Sequence, residues 1–427
     1  MTTLWISSNL MQKHEFIFSN DPPTVFFFLS GFYSLMKPLF PSAFLEFYTS
    51  NIAFTPGSYL QLFAQLQPGI TTALFLSKIP YLLFDIASAF LMLHLFDDKT
   101  KSFLAFKIWL IFPVGIYVTY MVGQFDIFAV FFIILSLYLL KKHKFSLSTL
   151  SLGLSGLFKI IGIALLPFTV IYFWKITKGN SKNKIGKIAL LVTAALLPLV
   201  LFPILFSIVP QFYESVNFAF PRTTAFNGFF GNTFYTRGTA GNPLFSGLLL
   251  FILDYSPSIR TQVLLPDFIY FIPLVYTLIL LAAAYQKNFS LEKVYSYFTI
   301  FLLLFYAFSL FHVQWFLWIQ PFLIMLFVEN RKVFGKLVML IIPLYFIYVC
   351  YWDAALTVSL LAPIFPKALF WPGPVTLMNN AGLPGYQVIS IFRTVFSAIC
   401  IFIAFNVKRI MGQELHKESG HSTSVEL

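Results

Sequence analysis

Tyr120-Met121-Val122-Gly123-Gln124-Phe125-Asp126 separates two apolar runs, residues 102–121 and 125–140. Each run is close to the ~18–20 residues that cross a bilayer as a helix. The Gly123 backbone, the Gln124 amide and the Asp126 carboxylate therefore fall at a tight turn between two spans. A carboxylate there is costly if it faces lipid, and such groups ordinarily face a polar cavity or a site. The alternative is a short turn whose aspartate caps the following helix.

Composition extends this reading to the whole chain. Hydrophobic residues make up 59% of the 427 residues and charged residues 10%. That leaves too little polar surface to coat a soluble particle, and apolar runs of spanning length recur along the chain. The expected fold is an all-α polytopic transmembrane helical bundle: one membrane domain over 1–406, then a basic and polar cytoplasmic tail, 407–427. Cys350 and Cys400 both lie inside apolar runs and suggest neither a disulfide framework nor a metal site. The net charge of +12 sits in short loops between spans. The positive-inside rule accounts for it, so membrane lipids and not nucleic acid are the expected surroundings.

Residues 1–23 are polar and mixed, with no signal-peptide pattern. The run 24–40 is either a tilted span or an interfacial helix. It reaches only ~25 Å as a helix, which favours lying flat over crossing a ~30 Å core. Further spans are expected at 70–96, 188–209, 266–285, 294–311, 316–328, 337–351 and 388–406. With short broken helices included, that makes about 9–11. The run 147–174 is different. Basic loops at 141–144 and 175–187 flank it and belong on one side. Its ~42 Å helical reach is too short for two crossings. It is expected to dip in and return as two half-helices broken near Lys159 and Pro167. Serine and glycine at 148, 151, 153, 155 and 156 would allow close packing.

This layout puts most of the 28 Lys and Arg in inner loops. From residue 41 onward, only Arg222, Arg237, Arg260 and Lys367 fall in outer loops. The outer face collects the Gln124/Asp126 turn, a second turn at His312-Val313-Gln314-Trp315, the 41–69 loop, and the long loops 210–265 and 352–387, the latter with Asp353. Asp21 joins them if 24–40 lies flat. The chain has no Walker loop, HExxH, CxxC or Gly-x-Ser-x-Gly, so P-loop, zincin and serine-hydrolase chemistry have no local support.

The order of these elements resembles the multi-spanning GT-C glycosyltransferases that use polyprenyl-phosphate-linked sugars. It is most similar to mannosyltransferases like the second one of GPI-anchor assembly. Five pieces carry the resemblance. Asp21 stands ahead of 24–40 and Asn51-Ile52-Ala53-Phe54-Thr55-Pro56-Gly57. Lys78-Ile79-Pro80 is followed by Asp85, and Gly123-Gln124-Phe125-Asp126 comes next. Gly153-Leu154-Ser155-Gly156-Leu157-Phe158-Lys159 precedes Leu166-Pro167, and Gln314-Trp315 runs on to Pro321. The chain departs from the pattern in two places: residues 1–20 supply no spanning helix, and Asp21 has no second acid nearby unless Glu15 serves.

The resemblance implies transfer of a sugar, mannose on this pattern, from a polyprenyl-phosphate donor to a lipid-linked or glycan acceptor on the extracytoplasmic face. Asp21 would be the general base that takes the acceptor proton. Arg222, Arg237, Arg260 and His312 would be cations or donors for the leaving phosphate. Gln124, Asp126 and Gln314 would complete the substrate site. No cofactor is implied, and a divalent metal is left open. The location would be the plasma membrane in a prokaryote or the endoplasmic reticulum in a eukaryote. The rival readings are a secondary transporter or lipid flippase, and an inactive relative. Lys78 and Lys159 also have a plain reading, snorkelling or pairing with Asp85. His312 has one as a hydrogen bonder at a helix end.

Overall fold

The computed structural model describes residues 22–41, 69–177, 181–201, 204, 271–309 and 311–411, and every regular element among them is a helix. In order, these are α1 (Pro23–Met36), α2 (Ile70–Leu95), α3 (Lys99–Ile111), α4 (Asp126–Lys141), α5 (Phe145–Phe158), α6 (Ile161–Ile176), α7 (Ser181–Leu196), α8 (Phe271–Tyr285) and α9 (Leu291–Phe308). After them come α10 (Gln320–Glu329), α11 (Arg331–Val349), α12 (Pro374–Asn380) and α13 (Gly385–Met411). Six stretches are long and apolar enough to cross a bilayer: Thr71–Leu95, Lys99–Val122, Lys182–Val200, Leu291–Phe308, Arg331–Leu356 and Gly385–Val407. Together they are compatible with an integral membrane protein.

Charge sorts the two ends of the bundle. Lys141 pairs with Asp97 at 2.7 Å, and Lys101 pairs with Glu329 at 2.6 Å. The loops after α2, α4 and α10 therefore meet at one basic end. Asp98 starts α3 there by accepting from the backbone N–H groups of Thr100 (2.6 Å) and Lys101 (3.1 Å), which satisfies two of the orphan donors of a helix start.

The 147–174 run forms a pair of half-helices, broken at Lys159 as expected but not at Pro167, which lies inside the continuous helix α6. The chain breaks at Lys159 and Ile160 between α5 and α6, and the Phe145 and Phe173 rings lie 5.1 Å apart. Both outer ends of the pair are thus at the basic end. The small residues explain how. Ser148, Ser151 and Ser155 face α4, and their hydroxyls donate to the carbonyls of Ser136 (3.0 Å), Phe132 (2.8 Å) and Ala129 (3.0 Å). The other faces lean on glycine. A methyl group at Gly162 would come within 2.5 Å of Ser155 Cβ, and one at Gly153 within 2.0 Å of Ala195 O. Hydroxyl-to-carbonyl bonds and small-residue contacts are how helices associate where water cannot drive them together.

Three sequence readings need correction. The span before the Gly-Gln turn begins at Lys99 and reaches Val122 through a break at Phe112–Pro113 and a π-helical turn, Tyr117–Val122. The stretch 352–387 is not irregular. Two of its five prolines open short helices, Pro366–Phe370 and α12, because proline's fixed φ suits a first helical position. The boundary between 406 and 407 falls inside α13, which continues to Met411.

One buried cation escaped the sequence reading. Arg393 on α13 is 3% exposed. It donates to Ser397 Oγ (3.0 Å), to Ser309 O (2.8 Å) and to Tyr306 O. The Phe311, Tyr348 and Phe396 rings lie about it at 4.8–5.1 Å. The carbonyls it meets are those left over at the end of α9, where a positive charge also suits the helix dipole. Arg393→Met is expected to strand these acceptors and cost about 2–5 kcal/mol. Thermal unfolding in detergent should show the drop, and an unchanged midpoint would mean the clamp adds nothing.

Candidate functional site

The Gly123–Asp126 turn lies at the end of α4 away from the basic loops. Counted from the basic end, α4 has 16 residues and α5 has 14. They rise ~24 Å and ~21 Å, short of a ~30 Å hydrocarbon core. The turn before α4 and the break after α5 therefore lie on the side opposite the basic loops, about 21–24 Å of helix away from them.

Gly123 makes the turn possible. Its φ is +74° and ψ +41°, a left-handed conformation that glycine adopts without cost. Gly123 N–H (3.0 Å) and Gln124 N–H (3.2 Å) both donate to Val118 O, closing the π-helical turn. The lysine lies close as well: a Cβ at position 123 would fall 2.0 Å from Lys78 Nζ, which would have to swing away. The Lys78 ammonium rests directly on the turn. It also sits 5.0 Å from the Tyr81 ring, and no carboxylate forms an ion pair with it among the described residues.

Lys159 reaches the turn as well. It stands at the break between α5 and α6, with Nζ 4.6 Å from the centre of the Phe125 ring. Two lysines, one on α2 and one at the α5–α6 break, thus each reach a residue of the same four-residue turn, Gly123 and Phe125. The pairing of Lys78 with Asp85 is not what forms. Asp85 instead accepts from Trp109 Nε1 (2.8 Å) and Tyr120 Oη (2.7 Å). It fixes the approach to the turn and leaves Lys78 to it.

Asp126 is fully buried. It is the first residue of α4, one position past the N-cap. The residue preceding the helix is Phe125, and no side chain caps the start. Asp126 Oδ1 instead accepts from Trp318 Nε1 at 2.7 Å, which ties the turn to the 3-10 segment Val313–Ile319. Tyrosine hydroxyls hold that segment. Tyr345 donates to Val313 O at 3.0 Å, Tyr348 to Phe311 O at 2.6 Å, and Tyr306 to Trp315 O. His312 and Gln314, the other sequence candidates, lie here. The His312 ring is 5.3 Å from Trp352, and Gln314 is 7% exposed.

Comparisons of the chain with protein-family models, with curated proteins and with solved structures give no match. The site is therefore read from its own chemistry. Among the described residues no three of His, Cys, Asp and Glu converge as a metal would need. What does converge is two ammonium groups, the start of a 16-residue helix and a set of amides.

The sequence candidates fare unevenly. Gln124, Asp126, His312 and Gln314 gather on the turn and on the segment tied to it. Asp21, Arg222, Arg237 and Arg260 lie outside the described residues. Asp353 is engaged structurally: it accepts from Val375 N (2.9 Å), Thr376 N (3.2 Å) and Thr376 Oγ1 (2.6 Å), starting α12. The sequence reading missed Lys78 and Lys159 as members of the turn cluster, and missed Trp318 and Gln320. For Lys159 the available signal was a lysine splitting an apolar run with no acid at helical spacing, whereas Asp85, seven residues after Lys78, offered that lysine an ordinary partner.

Proposed function

We propose that the protein is a membrane glycosyltransferase that moves a hexose from a polyprenyl-phosphate donor to a lipid-linked or glycan acceptor. By the sequence resemblance, that hexose is mannose. The single observation carrying this reading is the meeting of Lys78 and Lys159 at the Gly123–Asp126 turn. In such a transfer the bond between sugar C1 and phosphate oxygen breaks, and its electron pair stays on the phosphate. The acceptor oxygen bonds to C1, and its proton passes to a base, assigned here to Asp21. The developing phosphate charge needs fixed cations in a place of low dielectric. Two lysines held there, one on α2 and one at the α5–α6 break, with the positive end of the α4 dipole beside them, supply that need. A donor whose tail lies among apolar helices would present its phosphate at this turn.

Transport is the second reading, favoured by the α5–α6 pair, whose break carries a lysine. The two readings separate in one assay. Reconstituted protein given donor and acceptor should release polyprenyl phosphate only when acceptor is present. Movement of intact donor across the bilayer without release would favour transport.

Sidedness follows from charge. With Cys350 and Cys400 replaced by alanine, cysteines introduced at His143 and Asn380 are expected to label from opposite sides of sealed vesicles, with His143 facing the cytoplasm. Labelling from the same side would remove the extracytoplasmic site.

A further inference from the structure

Beside the lysine cluster lies a second kind of chemistry. Thr119 Oγ1, Gln314 Oε1 and both amide atoms of Gln320 are buried and find no hydrogen-bond partner among the described residues. Thr119 is 0% exposed and Gln320 1%. Roughly 90% of buried polar groups are partnered, so an amide with donor and acceptor both unmet ordinarily marks a bound water or ligand. The surroundings are not poor in hydrogen bonds. Tyr117 Oη donates to Leu356 O at 2.5 Å, and Trp318, two residues from Gln320, donates to Asp126.

The three side chains belong together. A methyl group at Gly115 would come within 2.9 Å of both Gln320 Oε1 and Nε2. Glycine there is what lets the amide lie against the helix. Thr119 follows one turn after Gly115, on the same side. Gln314 and Gln320 are six residues apart across a 3-10 segment, and at three residues per turn they share a face.

We infer that Gln320 and Thr119, with Gln314, form a subsite for the hydroxyl groups of an uncharged polyol, a hexose ring. An amide and a hydroxyl offer donor and acceptor together, which matches a sugar hydroxyl in both its roles. None of the three carries a charge, and the cations stand apart, at Gly123 and Phe125. That this hexose is part of a glycosyl phosphate rests on the transferase reading, whereas its binding does not.

The test uses the full chain in detergent and follows tryptophan fluorescence, to which Trp315 and Trp318 contribute. Methyl hexosides and farnesyl phosphate are titrated separately. At least one hexoside should give a saturable change in the wild-type chain. Gln320→Leu and Thr119→Val should each weaken hexoside binding at least about tenfold, the loss of one well-placed hydrogen bond or more. Farnesyl phosphate binding should stay within about twofold of wild type in both. Thr119→Val, which is nearly isosteric, carries the test if Gln320→Leu does not fold. Three results would overturn the inference: hexoside binding unchanged in both variants, both ligands weakened alike, or no saturable hexoside response in a wild-type chain that binds farnesyl phosphate. In the last case trapped water satisfies the amides. Failure of the transferase reading shows elsewhere, as absent acceptor-dependent release of polyprenyl phosphate.

Discussion

Asp21→Asn is expected to bind donor lipid as the wild-type chain does and to transfer sugar at least ~100-fold more slowly, since loss of a general base removes a factor of ~10²–10⁴. Asparagine keeps the shape of the side chain and removes the basic oxygen. The expectation comes from the resemblance and from what the adjoining helix does. Thr24 Oγ1, at the start of α1, donates to Leu157 O, two residues before Lys159. Nine residues on, Tyr33 Oη donates to Ser77 O at 3.3 Å, one residue before Lys78. α1 is therefore laid from the neighbourhood of one lysine to that of the other. Its 14 residues reach ~21 Å, too short to cross the core. Turnover near the wild-type rate in Asp21→Asn would send the search for the base to Asp126. Single-turnover measurements with bound donor separate the chemical step from binding.

Lys78→Met should be nearly as damaging, by ~10²–10³ in transfer rate, the usual cost of one fixed donor to a developing oxyanion. Methionine removes the charge and keeps an unbranched apolar side chain, one atom shorter, in its place. The cation has no carboxylate among the described residues to leave behind. Losing it also relieves the cost of holding a charge within the membrane region, so the melting temperature should hold or rise. Activity and stability should thus move apart. A lysine that merely snorkels would lose neither activity nor donor affinity on this change, and that outcome would remove the phosphate from the Gly123 turn.

The sequence carried the parts of the fold that depend on short spacing. Apolar runs marked the spans, and the basic loops on either side of 147–174 forced the dipping pair. Ser148, Ser151, Ser155 and the nearby glycines then appeared where such a pair needs close contact. The Gly123 turn was legible because a glycine, an amide and an acid interrupted hydrocarbon. What the sequence could not show were partners far apart in the chain. Trp318 reaches Asp126 across 192 residues, and no local pattern announces that partner. Arg393 reads as one charge in an otherwise apolar run until α9 brings its terminal carbonyls alongside. Lys78 and Asp85 lie seven residues apart and suggest a pair, yet Trp109 and Tyr120 of the neighbouring helix take the carboxylate first.

The central claim is that a lipid phosphate is seated at the Gly123 turn between Lys78 and Lys159. The measurement that meets it most directly is photocrosslinking of a short-chain isoprenyl phosphate carrying the photoreactive group beside its phosphate, followed by mapping of the adduct. The account predicts adducts within 74–81, 120–126 or 157–161, reduced by Lys78→Met. Adducts confined to 210–265, around Arg222, Arg237 and Arg260, and indifferent to Lys78→Met, would contradict it.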